Sequence, residues 1–373
     1  MPERVIIQVD LDYFYAQCEE VRNPALRGKP VVVCIYSGRG GDSGAVTTAN
    51  YTARRYGVRS GLPIVRAKQL LQDVDAVFLK ADLDYYDEVS KRVMSILRRY
   101  ADRFEEVSVD EAYLDVTERV KGDYESAKQL ALDIKSEIKK AENLTCSIGI
   151  GPNKVVAKIA SDYQKPDGLT LIKPDEAAEF IAKMDVDKLP GVGAKTKRIL
   201  EEMGVKTIGE LAKQDPQKLI SIFGMKLGNY LYNAANGRDD EPVKERLEPT
   251  QFSRIVTLKE DAQTISEIEG YIDEVCRDLY SKVSAEGYSF KSVSVICVSD
   301  ALTTHSRSET YEHPLDGFDS LKAASLTLLS RLLEERKIKI RRVGVKVSDL
   351  VKKSGQKTLY EYLTSTGSDL RSL

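Results

Sequence analysis

The chain of 373 residues is longer than one hydrophobic core typically supports and predicts two to four domains. With 42% hydrophobic and 31% charged residues and no low-complexity block, its composition excludes a disordered chain and describes ordinary globular units. A formal net charge of −2 argues against a protein that works by bulk attraction to polyanions, while leaving room for local basic surfaces.

The N-terminal stretch MPERVIIQVDLDYF breaks its apolar run with Gln8, Asp10 and Asp12. It fits neither a signal peptide nor a membrane anchor, so a cytoplasmic protein is expected. In chain order, RVIIQVDLDYFYA predicts a strand running into a turn or helix start, with Val5, Ile7 and Val9 on one face and Ile6 on the other. VVVCIYSG (31–38) predicts a second strand, closed by the polar SGRGGDSG. TANYTARRYGV (48–58) predicts a short helix capped by Thr48 and stopped at Gly57. From Asp84 to Arg103 the spacing of Tyr86, Val89, Val93, Ile96, Leu97 and Tyr100 is helical, and a strand over 106–116 follows. A second long helix over about 123–142 leads to a strand in LTCSIGIG (144–151). Strand, helix, strand, helix, strand is compatible with a ferredoxin-like split βαβ sheet, which can bring the ends of sequence-distant strands together.

Beyond Gly168 the texture changes. Residues 173–236 show short helix signals broken by Pro190-Gly191, Gly204, Pro216 and Gly224, predicting a small all-helical domain. ANGRDDEPVKERLEPT (235–250) is polar and proline-punctuated and predicts a linker. Four strand signals and two helical patterns, near 262–286 and 319–335, predict an α+β last domain, and residues from about 349 read as a tail. The five cysteines lack CxxC spacing and only two histidines are present, so buried, reduced thiols are expected rather than a zinc site.

Asp10 and Asp12 interrupt the first strand, and Asp110 and Glu111 interrupt SVDEAYLD (108–115). Burying an unpaired charge costs several kcal/mol or more. If the two strands are neighbours, Asp10, Asp110 and Glu111 converge, and each raises the pKa of the others. A hard divalent cation with oxygen ligands, Mg²⁺ above all, resolves that conflict. Two such ions roughly 3.5–4 Å apart suit in-line phosphoryl transfer. The plain alternative is that each acid ends a strand or makes a surface ion pair; Asp12 and Asp115 fit either reading.

These segments resemble the Y family of DNA polymerases, in particular its archaeal and bacterial polymerase IV branch. The stretches that carry the resemblance are VDLDYFYAQCEE (9–20), GKPVVV (28–33), TANYTARRYGV (48–58), SVDEAYLD (108–115), SIGIGPNKVVAKIASDYQKPDG (147–168), LPGVGAKT (189–196) and FGMKLGNYLYNAANGRDDEPV (223–243). The resemblance implies an α+β, multi-domain, right-hand architecture. Its parts are a ferredoxin-like palm (1–13 and 81–172), small fingers (14–80), a helical thumb with a helix-hairpin-helix (173–239), a linker (240–248), an α+β little finger (249–347) and a C-terminal tail (348–373).

By the same resemblance, Asp10, Asp110 and Glu111 are the catalytic metal-binding carboxylates and Leu11 lends a backbone carbonyl. Two Mg²⁺ ions are implied, with Mn²⁺ as a substitute. Tyr15 matches a steric gate whose ring excludes a 2′-hydroxyl; on its own it reads as one of 19 tyrosines that pack. Thr48, Tyr51, Arg54 and Lys165 match triphosphate-binding positions, the first three at i, i+3, i+6 along one side of the expected helix. Gly44, Ala45 and Gly61 are small residues where the family roofs the nascent base pair, implying tolerance of damaged or mispaired templates and low fidelity; SGRGGDSG is richer in glycine than that branch leads one to expect. LPGVGAKTKRIL (189–200) reads as a helix-hairpin-helix in which Gly191 and Gly193 admit a phosphate and Lys195 adds charge, with FGMKLG (223–228) as a degenerate second copy.

RKIKIRRVGVKV (336–347) carries six basic residues and no acid. Alternation predicts Lys337, Lys339 and Arg341 on one face of a strand, with Arg342 beside them, as a ladder along a DNA backbone. QKTLYEYL (356–363) follows a clamp-binding pattern through Gln356, Leu359, Tyr362 and Leu363. The expected partners are primer-template DNA, a dNTP and a sliding clamp; the protein is expected to act as a monomer, away from membranes. No exonuclease segment is visible. The rival readings are a nucleotidyl cyclase, which shares the paired carboxylates but needs no helix-hairpin-helix, and a non-catalytic DNA-binding scaffold of the same family.

Overall fold

The structure, a computed structural model, describes residues 3–245 and 248–353. The chain runs through β1 (Ile6–Leu11), α1 (Phe14–Arg22), β2 (Val31–Tyr36), β3 (Gly44–Ala49), α2 (Tyr51–Arg55), α3 (Ile64–Leu70), β4 (Val77–Lys80), α4 (Leu83–Tyr100), β5 (Arg103–Glu106), β6 (Glu111–Asp115), α5 (Tyr124–Glu142), β7 (Cys146–Gly151), α6 (Lys154–Tyr163) and β8 (Leu169–Leu171). It continues through α7 (Ala177–Ala182), α8 (Ala194–Glu202), α9 (Ile208–Ala212) and α10 (Pro216–Ala235). The last part comprises β9 (Gln251–Ala262), α11 (Ile265–Ala285), β10 (Tyr288–Ser299), β11 (Thr304–Leu315), α12 (Phe318–Glu335) and β12 (Ile340–Lys352). These elements form two compact units, Met1–Ile35 with Ala45–Arg246, and Tyr36–Gly44 with Leu247–Leu373.

In the first unit a five-stranded sheet has the order β5-β6-β1-β7-β8, with β1 antiparallel to both of its neighbours. β1 is buried on both faces, which explains its nearly continuous apolar run. Val5, Ile7, Val9 and Leu11 pack with Val93 and Leu97 of α4 and Ile134 and Ile138 of α5, while Ile6 on the opposite face packs with Ala157 of α6 and with Val243. Asp82 and Asp123 cap α4 and α5 by accepting from the backbone amides of Tyr85 and Ser126. β2, β3 and β4 make a second, three-stranded sheet. Val155 and Ile159 of α6 belong to the core of α7–α10, so one helix serves the sheet and the helical subdomain together. The five cysteines are buried and none is in a disulfide.

The second unit is a sheet of order β11-β10-β12-β9 with α11 and α12 on one face. Val293, Val295, Val343, Val345 and Val347 point into that core with Ile272 and Leu329. Among the described residues, no helix is long and apolar enough to cross a membrane.

Several boundaries differ from those expected. The strand over 106–116 is two strands: Val107 and Ser108 both donate backbone N–H to the Glu111 carbonyl, making a tight turn in which Val107 is 50% exposed. Thr48 belongs to β3, and the cap of α2 is Asn50, whose side chain accepts from the Ala53 amide. Asn50 also accepts from the Val31 amide and donates to Glu20, so tertiary partners selected it over Thr48. Residues up to Lys352 stay in β12, so the expected tail begins inside a strand.

The expected linker is a docked strap up to Glu245. Arg4 donates to the carbonyls of Asp239 and Glu241, Asn153 to that of Gly237 at 2.7 Å, and the Lys244 amide donates to Glu105 at 3.2 Å. Val243 is 1% exposed within it. Polar composition here reflects fixed partners rather than solvation.

Candidate active site

Asp10 sits near the C-terminal end of β1 on the face toward α6, and its Cα is the register partner of Glu111 on β6. Residues opposite one another in an antiparallel pair project to the same face, so the two carboxylates meet above the sheet. Asp110 stands at the turn just before β6, where its carbonyl accepts from the Leu11 amide at 2.9 Å and its carboxylate accepts from the Ser108 hydroxyl at 2.6 Å. The fold thus brings Asp10, Leu11, Asp110 and Glu111 to one end of the sheet. Among the described residues no three acids stand close enough in this arrangement to form a closed metal cage.

The cation between Asp10 and Glu111 is an ammonium. Lys158 on α6 donates to Asp10 Oδ2 at 2.8 Å and to Glu111 Oε1, and Lys165 reaches Asp10 Oδ1 at 2.6 Å. Asp162 completes the cluster, 2.8 Å from Lys165 and 3.7 Å from Lys158. Burial pushes Asp10 up, but the hydrogen bond with Glu111 and the charges of Lys158 and Lys165 outweigh it and hold the carboxyl below its ordinary value. Burial and the Asp10 hydrogen bond instead push Glu111 up to about 7 against the pull of Lys158. Asp110 is likewise raised by burial, with Ser108 opposing.

Asp12 plays a different part. It is buried, and its carboxylate accepts from the hydroxyls of Thr145 and Ser147 and from the Asp167 amide at 2.7–2.9 Å. Three hydrogen bonds to its two oxygens fasten the start of β7 and the segment after α6, which makes it an organiser of the site. Asp115 accepts from the Thr117 amide at the end of β6, away from this cluster.

Tyr15, in the first turn of α1, stacks on Tyr86 of α4 with ring centroids 4.4 Å apart and an interplanar angle of 16°. Tyr86 is fully buried and donates to Glu19 at 2.7 Å. Burial, followed by the Asp110 charge, raises the Tyr15 phenol. Tyr51 meets Tyr13 edge-on at 5.4 Å, and the Arg54 guanidinium lies 4.9 Å from the Tyr51 ring while donating to the Ala49 carbonyl. Burial and then the charge of Asp12 raise the Tyr51 phenol, with Arg54 and Lys165 opposing, so Tyr51, Arg54 and Lys165 belong to one neighbourhood. Thr48 approaches from a strand instead of sharing their helix. Gly44 opens β3; Ala45 bridges Pro63, and the Gly61 amide donates to the Val46 carbonyl, so exposed Ala45 and Gly61 lie near one another.

In the helical subdomain Gly191 has φ +84° and Gly193 caps α8, with Lys195 exposed beside them. Tyr230 supports this turn by donating to the Pro190 carbonyl at 2.6 Å. Lys197 and Arg198 are paired with Asp187 and Glu202. α10 breaks at Gly224 (φ 81°, ψ 162°), so FGMKLG forms a second helical hairpin with Met225 73% exposed.

In the second unit the basic ladder departs from the expected one. Lys337 and Lys339 are exposed but precede β12, and a register shift between Ile340 and Arg342 places Arg341 at a bulge. The face turned away from α11 and α12 therefore carries Arg342, Gly344 and Lys346, opposite Thr257, Ile255 and Ser253 of β9. Gln356, Leu359, Tyr362 and Leu363 lie outside the described residues.

Sequence reasoning missed Lys158 and Tyr86. The first reads as a solvated helix lysine and the second as one more apolar-face tyrosine until the sheet register and the α1–α4 packing are known.

Three family models match the chain: impB/mucB/samB family over residues 9–162, DNA polymerase-iota, thumb domain over 187–239, and impB/mucB/samB family C-terminal domain over 249–359. "DNA polymerase IV" of Nitrosopumilus maritimus is 45% identical over 363 residues, covering 97% of this chain and 100% of the relative. "DNA polymerase IV" of Methanosarcina acetivorans is 46% identical over 368 residues, covering 97% and 100%. Among solved structures, "Y-family DNA polymerase chimera Dbh-Dpo4(243-245)-Dbh" aligns with a TM-score of 0.88 at 36% identity, over 94% of this chain and 100% of that one. "Insertion ternary complex of Dbh DNA polymerase" aligns with a TM-score of 0.67 at 36% identity and the same coverage.

Proposed function

The chain belongs to the Y family of DNA polymerases and is a DNA-directed DNA polymerase, and from that premise we propose that it extends a primer across damaged templates by two-metal-ion nucleotidyl transfer, with low fidelity and no proofreading. The observation that carries this reading is the register pairing of Asp10 with Glu111, with Asp110 at the adjoining turn and lysine ammoniums held between the carboxylates. The donor set suits a hard divalent ion: carboxylates of Asp10, Asp110 and Glu111 and the carbonyl of Leu11 are all oxygen, and two of the carboxylates already gather around a cation. Bound there, Mg²⁺ or Mn²⁺ supplies a lowered pKa for the primer 3′-hydroxyl and compensation for charge on the transferring phosphoryl group.

The rest is the work of the chain's own groups. Tyr15, held flat by Tyr86, sets a wall for the sugar; Arg54, Lys165, Tyr51 and Thr48 grip the triphosphate. Ala45 and Gly61, with Gly44, roof the base pair without testing its shape closely. Gly191, Gly193 and Lys195 in the thumb and Arg342 and Lys346 in the C-terminal sheet hold the duplex backbone without reading sequence. Clamp binding through the C-terminal segment and a monomeric state complete the reading.

Primer extension with Asp110→Ala tests it. Synthesis should fall at least about a hundredfold, roughly 2.7 kcal/mol of transition-state stabilisation, with primer-template affinity retained. Unchanged synthesis overturns the assignment, and a cyclic product from nucleotide alone would favour the cyclase reading.

A further inference from the structure

We propose that Lys158 is the resident counter-ion of the Asp10–Glu111 pair, and that it must withdraw toward Asp162 before a divalent ion can take both carboxylates. The inference rests on reading Asp10 and Glu111 as metal ligands, and it concerns what occupies their shared position beforehand. Lys158 Nζ donates to Asp10 Oδ2 at 2.8 Å and to Glu111 Oε1, so the lone pairs a metal needs are engaged by an ammonium. A metal cation and an ammonium cannot share those oxygens at contact distance, because like charges in a half-buried setting repel strongly.

Lys158 is not placed there by a wandering side chain. A Cβ added at Gly149 would lie 2.0 Å from the Ala157 carbonyl and 2.3 Å from the Ser161 amide, so α6 presses directly on the backbone of β7. Asn153 caps the helix by accepting from the Val156 amide at 3.0 Å. Lys154, one turn before Lys158, is buried against Glu105 at 2.9 Å. Lys154, Lys158 and Asp162 recur at i, i+4, i+8, which aligns them over the sheet's acidic row.

The exit is already in place. Asp162 Oδ2 stands 3.7 Å from Lys158 Nζ on the next turn, while its Oδ1 holds Lys165. The two lysines are unequal: Lys165 contacts Asp10 but makes no ion pair with Glu111, whereas Lys158 bridges both. Metal entry therefore displaces Lys158, while Lys165 keeps Asp162 as a partner and can turn from Asp10 toward an arriving triphosphate. Four carboxyl groups, counting Asp110 and Asp162, face two ammoniums.

The test is Mn²⁺ binding to the full chain without DNA or nucleotide, measured by calorimetry, for the wild type, Lys158→Gln and Asp10→Asn. Lys158→Gln should bind Mn²⁺ at least about tenfold more tightly, and in EDTA it should melt at a lower temperature than the wild type, the gap closing as Mn²⁺ is added. Equal or weaker binding in Lys158→Gln overturns the proposal. Wild-type binding in Asp10→Asn would instead defeat the ligand assignment itself, whatever Lys158 does. If Lys158→Gln does not fold, Lys158→Arg carries the test: its fork can hold both carboxylates, so Mn²⁺ affinity should drop several-fold, and unchanged affinity would refute the role.

Discussion

With Tyr15 proposed as the wall for the sugar, sugar selection would depend on a tyrosine that another tyrosine holds still. Tyr15 is half-buried and stacks on Tyr86, whose hydroxyl is tied to Glu19, which in turn pairs with Arg22. An aromatic pair of this kind contributes about 1 kcal/mol beyond its buried area, equivalent to roughly fivefold in an equilibrium. Tyr86→Leu, which keeps the core filled but removes the stack, should therefore raise the ratio of ribonucleotide to deoxyribonucleotide insertion about fivefold; Tyr15→Ala should raise it much further. Single-nucleotide insertion kinetics check both, and an unchanged ratio in Tyr86→Leu would show that Tyr15 needs no support. The carboxylates give a pH prediction at the same scale. Glu111 keeps its proton up to about 7, above the ordinary 4.5, so the stability this group contributes is full below 4.5 and is lost as pH rises through 7. Asp10 is shifted the other way, and its contribution fades only in acid, outside that window. Metal-free melting temperatures should fall between pH 5 and 8 in the wild type and fall less in Glu111→Gln, where Asp110 is still raised. The acids were legible in the sequence because charges interrupting a strand demand compensation. Their present partner was not, since a lysine in KVVAKIASDY carries no sign of which sheet row it will face.

Helix α6 is the element on which palm and thumb both depend, and its position is set by what β7 lacks. At Gly149 the helix backbone occupies the space of a side chain, and at Gly151 an added Cβ would come within 2.9 Å of the Ala157 amide. Gly149→Ala must push the helix outward, a strain of about 1–3 kcal/mol by the usual cost of overpacking. Moving α6 also moves Lys158, so synthesis should fall at least about tenfold, with primer-template binding less affected. Gly151→Ala should show the same two effects more weakly. Denaturant unfolding and single-turnover extension measure them; a Gly149→Ala enzyme of full stability and rate would mean the helix tolerates displacement. The order of elements in the palm followed from periodicity, because α4 and α5 are amphipathic and β1 and β7 are apolar. Boundaries failed where a tertiary partner outranked local preference. Asn50 displaced Thr48 as a cap by binding Glu20 and Val31, the Ser108–Asp110 turn split a continuous-looking strand, and a bulge at Arg341 reset the alternation of β12.

At the scale of the whole chain, the two units carry separate cores, the first around β1, α4 and α5 with another joining α6 to α7–α10, the second around β10, β12, α11 and α12. A net charge near neutral is compatible with DNA binding because the basic groups are local, and the sequence showed this in its acid-free 336–347 run. What it hid is that 237–245, read as linker from its polar composition, is part of the first unit. Val243 is buried with Ile6 and Ala157, Lys154 pairs with Glu241 at 3.4 Å, and Arg4, Asn153 and Glu105 bind its backbone. Burying the valine contributes roughly 1.5–2 kcal/mol and each of the four hydrogen bonds about 1 kcal/mol, so the strap stabilises the unit by about 5–6 kcal/mol. A fragment ending at Glu245 should therefore fold cooperatively, and one ending at Arg238, which keeps the Asn153–Gly237 bond, should lose most of that amount in denaturant unfolding. If both fragments unfold at the same midpoint, the strap adds nothing and 237–245 behaves as the linker its composition describes. If the longer fragment alone is stable, the polymerase core ends at Glu245, and Val243→Asp in the full chain should reproduce most of the deficit by exposing the charge's demand for water inside that contact.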